Sequence, residues 1–319
     1  MILRRHLEVI EIVMRSLQEK IMKLKEEKGT LILAHNYQRP EIQEIADYIG
    51  SSLQLCWKAT EADEIKSILF CGVDFMAESA AILNPDKAVL IPDANARCPL
   101  AAMLPAKMVV EARRERPNAD VVLYVNTLAE AKAEADVMCT SANAVQIVEK
   151  LDAQEILFGP DWNLAWHVRR HTKDKKIIPL PRHSYCYVHR LFGTGEEALL
   201  LKAEHPDAEL LVHPECSPTL QLKADFVGST GQMLKHCHES NSEKFIIATE
   251  VGLTDRLRRE LPGKIYLPAM EDAVCQQMKR NTLEKVYEAL KSGGPVVEVP
   301  RKIADRARHG ISCMLELSR

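Results

Sequence analysis

Ala46-Asp47-Tyr48-Ile49-Gly50-Ser51-Ser52, Ala135-Asp136-Val137-Met138-Cys139-Thr140-Ser141 and Ala224-Asp225-Phe226-Val227-Gly228-Ser229-Thr230 are one pattern written three times: Ala-Asp, three mostly apolar residues, two hydroxyl residues. The copies stand 89 residues apart in both steps. A fixed period of this kind marks a repeated structural unit. Upstream, apolar runs at 31–34, 121–123 and 210–212 lead into His35, Tyr124 and His213, again 89 apart. Downstream, the segments 87–92, 176–181 and 264–268 each precede a cysteine, and Cys98, Cys186 and Cys275 are separated by 88 and 89 residues.

With 319 residues, 46% of them hydrophobic, the chain can bury two or three cores, and its length suits three units of about 90 residues. A net charge of −3 and a pI near 6.4 argue against a generic nucleic-acid or anionic-membrane partner. Leu3, Leu7, Ile10, Met14, Leu17, Ile21 and Leu24 recur at helical spacing among Arg4, Arg5, Glu8, Glu11 and Arg15, which predicts an amphipathic helix ended by Gly29 rather than a signal peptide. No window holds 18 uncharged apolar residues, so no membrane span is expected. Nine cysteines without an export signal predict a reducing, cytoplasmic setting in which thiols bind metal, catalyse or pack.

Short apolar runs alternate with helical ones. Strands are expected at 30–36, 47–50, 67–71 and 88–91, then at 121–125, 137–139, 155–158 and 177–180, then at 210–213, 226–228, 245–248 and 265–267. Helices are expected at 40–45, from Ser52 through Trp57 to Ala62, at 74–83, 100–116, 128–134, 142–151 and 163–171. The tail reads as helix 282–291, strand 296–299 and helix 301–316. Such alternation requires parallel sheets covered on both faces, because each crossover returns along a face. The fold class is therefore α/β, with three units of residues 1–104, 105–192 and 193–280, and segment 281–319 packing back on the first.

In open parallel sheets ligands bind beyond the carboxyl ends of the strands. His35, Tyr124 and His213 end the first strand of each unit; Ser52, Ser141 and Thr230 follow the second; a cysteine follows the fourth. If the units face one another around a pseudo-threefold axis, all of these converge. Three convergent thiolates describe a zinc site or an iron–sulfur cluster with one open position. Cys56, Cys71, Cys139, Cys216, Cys237 and Cys313 lack a threefold partner and are read as structural. The hydroxyl pairs read either as helix N-caps or as ligands for carboxylate or phosphate oxygens. Tyr37 and Glu215 offer proton transfer beside the metal, and His189 is a further candidate three residues after Cys186.

The motifs His35-Asn36-Tyr37-Gln38, Cys71-Gly72-Val73-Asp74-Phe75-Met76-Ala77-Glu78, Tyr124-Val125-Asn126, Cys139-Thr140-Ser141-Ala142-Asn143-Ala144, Cys186-Tyr187-Val188-His189, His213-Pro214-Glu215-Cys216 and Gly228-Ser229-Thr230 resemble the motif set of the quinolinate synthases. The resemblance covers most of the chain from Leu31 to Met278. It implies three αβα sandwich domains related by a pseudo-threefold axis, and a [4Fe-4S] cluster on Cys98, Cys186 and Cys275. It implies condensation of iminosuccinate (iminoaspartate) with dihydroxyacetone phosphate to quinolinate, phosphate and water, in NAD biosynthesis. The substrate would be held by His35, Ser52, Tyr124, Val125, Asn126, Ser141, His213, Pro214, Glu215, Ser229 and Thr230, with Tyr37, His35, Glu215 and His189 as catalytic residues. An aspartate oxidase or dehydrogenase would supply the imine. Some family members carry a Cys-x-x-Cys pattern around the third ligand; here Ala273-Val274-Cys275-Gln276-Gln277-Met278 lacks it, which speaks against a thiol switch there. Two competing readings stand beside this one: a zinc or iron–sulfur hydro-lyase acting on another small acid, and a cluster-bearing sensor.

Overall fold

The computed structural model describes residues 2–61 and 65–319, with side chains from residue 12 onward. Among the described residues, twelve strands form three sheets. The first holds β1 (Thr30–His35), β2 (Tyr48–Gly50), β3 (Ser67–Cys71) and β4 (Ala88–Leu90). The second holds β5 (Asp120–Tyr124), β6 (Val137–Cys139), β7 (Glu155–Gly159) and β8 (Lys176–Pro179), and the third β9 (Glu209–Val212), β10 (Phe226–Val227), β11 (Lys244–Ala248) and β12 (Ile265–Pro268). Their orders are β2-β1-β3-β4, β6-β5-β7-β8 and β10-β9-β11-β12, with every pairing parallel. The central strands are buried on both faces, as crossover helices on each side require.

The repeated aspartate builds this topology. Asp47, Asp136 and Asp225 each stand just before the second strand. Their Oδ2 atoms accept the backbone N–H of Ile32, Val121 and Leu210, at 2.7 Å in all three units. Their own N–H groups donate back to the carbonyls of the same residues at 2.9, 3.0 and 2.9 Å. The other carboxylate face of Asp47 and Asp136 meets Lys25 and Arg113, while Lys202 joins Asp225 at the same oxygen. One side chain thus fixes the register of strands one and two, and a cation from the preceding helix neutralises it. Charge-assisted bonds to backbone are roughly twice as strong as neutral ones.

The N-terminal helix Ile2–Lys28 ends where Gly29 takes a left-handed φ of +62°. Ile21, with Met14, Leu17 and Leu24, packs on Leu283, Val286 and Leu290; the side chains of Leu3, Leu7 and Ile10 lie outside the described residues. The tail divides. Helix Leu283–Ser292 lies along the N-terminal helix and β3, whereas helix Arg301–Leu317 lies against β6, helix Ala129–Lys132 and helix Asp74–Leu83.

Three expectations are corrected. The helix expected over 100–116 is two helices, Pro99–Ala102 and Ala106–Glu115, because Pro105 cannot continue the first and caps the second. The strand expected at 296–299 is a single antiparallel bridge, Leu90 to Val296: β4 is the sheet edge and offers only three residues to pair with. Helix Ala144–Lys150 begins after Asn143, so Ser141 sits in a turn ahead of it, not at its start. The helix from Ser52 is Ser52–Thr60, and Ala62 lies outside the described residues.

Candidate active site and metal centre

The carboxyl ends of the three sheets open onto one cavity, with about 70 Å³ of room for the centres of water-sized molecules. A single water needs about 10–15 Å³ on that measure, so the space suits a small metabolite. His35, Tyr37, Ser52, Cys98, Tyr124, Asn126, Ser141, Cys186, His213, Glu215, Ser229, Thr230 and Cys275 all line it. His189 lies just behind Glu215. Val125 and Pro214 are not on the wall, and Val125 instead borders a small apolar recess with Ser52, Cys56 and Phe70.

The hydroxyl pairs divide their work. The first members, Ser51, Thr140 and Ser229, give their N–H to a side chain three residues on: Gln54 at 2.9 Å, Asn143 at 2.6 Å and Gln232 at 2.9 Å. These are capping interactions. The second members, Ser52, Ser141 and Thr230, take no part in these caps; all six residues border the cavity. Gln232 Nε2 also donates to the carbonyl of Ala142 at 3.1 Å, and a Cβ added at Gly231 would meet Gln54 and Ser51, so the three caps meet one another.

The strand ends carry the polar chemistry. His35 Nδ1 accepts the N–H of Tyr37 at 3.2 Å, and His213 Nδ1 accepts that of Glu215 at 3.3 Å. Both rings are therefore neutral at Nδ1 and carry their proton on Nε2. Burial, with Lys279 and Arg256 near one ring and His189 near the other, lowers the pKa of each to about 3. Glu215 is buried, which would raise its pKa, but the neighbouring imidazoles and the Tyr124 hydroxyl outweigh this and hold it below the usual carboxylate range. Burial followed by the charge of Glu215 pushes Tyr37 and Tyr124 well above the phenol range, so both are protonated at neutral pH.

Tyr37 and Glu215, on different units, are connected. The Tyr37 hydroxyl lies 2.7 Å from Thr249 Oγ1, which lies 2.9 Å from His189 Nε2. His189 Nδ1 is 2.7 Å from Glu215 Oε2, a close contact without hydrogen-bond alignment. Thr249 was missed from the sequence because a threonine after a strand has no distinguishing signal. Asn36 was missed too: its Nδ2 donates to Thr230 Oγ1 at 2.8 Å and its Oδ1 accepts from Arg256. Asn126 Oδ1 is buried and unpartnered on the cavity wall, an acceptor awaiting a ligand donor.

Cys98, Cys186 and Cys275 each begin a helical turn, and the sulfur accepts the N–H three residues on, from Ala101, His189 and Met278. Burial chiefly, then for Cys98 and Cys186 the charge of neighbouring thiolates and carboxylates, pushes the thiols up. Among the described residues, the one group of three ligand atoms within 4.8 Å of each other is Cys186, His189 and Glu215; the three cysteines do not form such a group. No helix of the described residues is long and apolar enough to cross a membrane.

The quinolinate synthetase A protein family model matches residues 19–316. The chain is 54% identical over 306 residues to the quinolinate synthase of Methanothermobacter thermautotrophicus, covering 96% of this chain and 100% of that one. It is 52% identical over 303 residues to that of Pyrococcus horikoshii (95% and 99%), and 48% identical over 299 residues to that of Thermotoga maritima (94% and 99%). A match over nearly the whole length, spanning all three sheets and the cavity between them, means that the chain belongs to the quinolinate synthetase A family.

Proposed function

We propose that the chain is a quinolinate synthase that condenses iminosuccinate with dihydroxyacetone phosphate to quinolinate, phosphate and water, with a [4Fe-4S] cluster held by Cys98, Cys186 and Cys275. The observation that supports the cluster is that the three cysteines line one cavity while their sulfurs do not all lie within 4.8 Å of one another. A zinc ion at about 2.3 Å from each sulfur would draw them to within about 4 Å of one another. A cluster with one thiolate per iron needs a wider triangle, and buried thiols that disfavour each other's charge suit a cationic centre. Bound there, the cluster supplies an iron without a protein thiolate, a Lewis acid for a substrate oxygen.

The chain's own residues supply the rest. The Nε2–H groups of His35 and His213 and the hydroxyls of Ser52, Ser141 and Thr230 suit an acidic substrate. Thr230 already accepts from Asn36, so its O–H is free to donate. Asn126 Oδ1 suits the imine or its amine successor as acceptor. Tyr37, Thr249 and His189 form a hydrogen-bonded hydroxyl–imidazole chain, and a small turn of the His189 ring toward Glu215, 2.7 Å away, would complete a relay able to take a proton at one end and return it at the other. A cytoplasmic setting, and an aspartate oxidase or dehydrogenase as supplier of the imine, complete the reading.

Anaerobically reconstituted protein should be brown, hold about four irons per chain, and turn over the two substrates. Colourless, zinc-loaded, inactive protein would overturn the reading. The second reading is a mononuclear ion on Cys186, His189 and Glu215, favoured by their proximity. It predicts one metal per chain, retained in Cys98→Ala and Cys275→Ala.

A further inference from the structure

Each cysteine that begins a helical turn has its backbone N–H held by a carboxylate from the helix after the third strand of its own unit. Cys98 N donates to Asp74 Oδ1 at 2.9 Å, Cys186 N to Asp161 Oδ2 at 3.2 Å, and Cys275 N to Glu250 Oε1 at 3.0 Å. The three acids recur 87 and 89 residues apart, 24 or 25 residues before their cysteines. Asp161 and Glu250 are fully buried. Resting on the cluster reading above, we infer that Asp74, Asp161 and Glu250 are positioning residues that fix the three ligand loops for the cluster.

The physical case is that a buried carboxylate is costly unless several donors satisfy it. Here the donors are the cysteine loop and the start of the helix that carries the acid. Asp161 spends one oxygen on Cys186 and the other on Leu164 N at 2.8 Å. Glu250 spends one on Cys275 and the other on Gly252 N at 2.8 Å, with Lys279 paired to it at 3.0 Å. Asp74 serves both Cys98 N and Phe75 N, at 2.9 Å each, from the single atom Oδ1. Each acid therefore ties its loop to the sheet, and groups that orient metal ligands are worth about 10–100-fold in metal retention.

The bonding pattern gives a graded test. An amide keeps one acceptor oxygen and turns the other into a donor. Asp161→Asn and Glu250→Gln must leave one N–H facing an NH₂, whereas Asp74→Asn can keep both bonds. In reconstituted full-length protein, release of iron to a chelator should be about 10–100-fold faster in Asp161→Asn and Glu250→Gln, and close to wild type in Asp74→Asn. Far-UV circular dichroism checks folding. Should an amide variant not fold, Asp161→Glu and Glu250→Asp, which keep the charge but shift the carboxylate by one methylene, replace it: faster release supports the assignment, wild-type release overturns it. Equal release in all variants overturns this inference and leaves the synthase reading intact. Wild-type protein that takes up no cluster overturns both.

Discussion

The outer frame and the floor of the cavity obey different rules. Around the frame, equivalent positions keep equivalent jobs: Asp47, Asp136 and Asp225 clip strand to strand at one distance, and Ser51, Thr140 and Ser229 cap through a side chain three residues on. On the floor, equivalent positions diverge. His35, Tyr124 and His213 share one place in the repeat, and Tyr37, Asn126 and Glu215 share another. A frame with threefold likeness brings three strand ends to one point, but three identical groups could not receive a proton on one side and deliver it on the other. The buried Lys132 is a further divergence. It takes the place of Gln43 and Gln221 and, like them, donates to carbonyls of the adjoining loop, adding the Phe75 carbonyl of the neighbouring unit at 3.2 Å.

The comparison breaks first at the cysteines, where frame and floor meet. Cys98→Ala, Cys186→Ala and Cys275→Ala should each abolish a stable cluster, while Cys56→Ala and Cys313→Ala retain it; iron per chain decides, and full iron in any of the first three sinks the ligand set. Next comes the floor alone. Tyr37→Phe and Glu215→Gln should lower turnover by about 10²–10⁴-fold with iron content unchanged, and normal turnover would remove them from proton transfer. Thr249→Val should cost less, about 10-fold or more, and Thr249→Ser should restore the rate, as a relay hydroxyl requires and a packing methyl does not.

Acid sharpens the same contrast. His35 and His213 have folded pKa values near 3 against an ordinary 6.5, so the unfolded chain binds more protons below pH 6.5. Their contribution to stability is complete above pH 6.5 and is lost as pH falls toward 3. Over pH 6 to 5, where Glu215 is ionised in both states, each should lower stability by about 1.4 kcal/mol per pH unit. The His35→Gln protein should show a slope shallower by about one proton in pH-dependent calorimetry, and an unchanged slope would refute the assignment. The smallest effect belongs to the frame: Asp136→Asn, at a part-exposed clip, should cost about 1 kcal/mol in denaturant unfolding without altering iron content.

The 89-residue repeat was legible because it records local facts: an apolar run that must be a buried strand, an aspartate at a fixed distance before the next one, a cysteine after the fourth. These lie close in sequence, so the α/β class, the parallel sheets and the strand positions could be read directly. The tail strand was misread because three valines in the four residues after Pro295 look alike whether or not an edge can receive them. The single helix over 100–116 was misread by passing over Pro105.

What the tertiary structure alone decided is which side chains meet. Thr249 lies 212 residues from Tyr37 and 60 from His189, and no local pattern distinguishes it from any threonine at a strand end. The roles of the two hydroxyls in each Ala-Asp stretch were open until the first proved to be the cap, with both bordering the cavity. Asp74, Asp161 and Glu250 recur in sequence, yet an acid at a helix start has an ordinary explanation until its oxygen is found on a cysteine N–H. Burial periodicity is written along the chain, one residue after another, so sequence determined the three layers; hydrogen-bond partners across units are set by how the layers dock, and only the folded chain contains that.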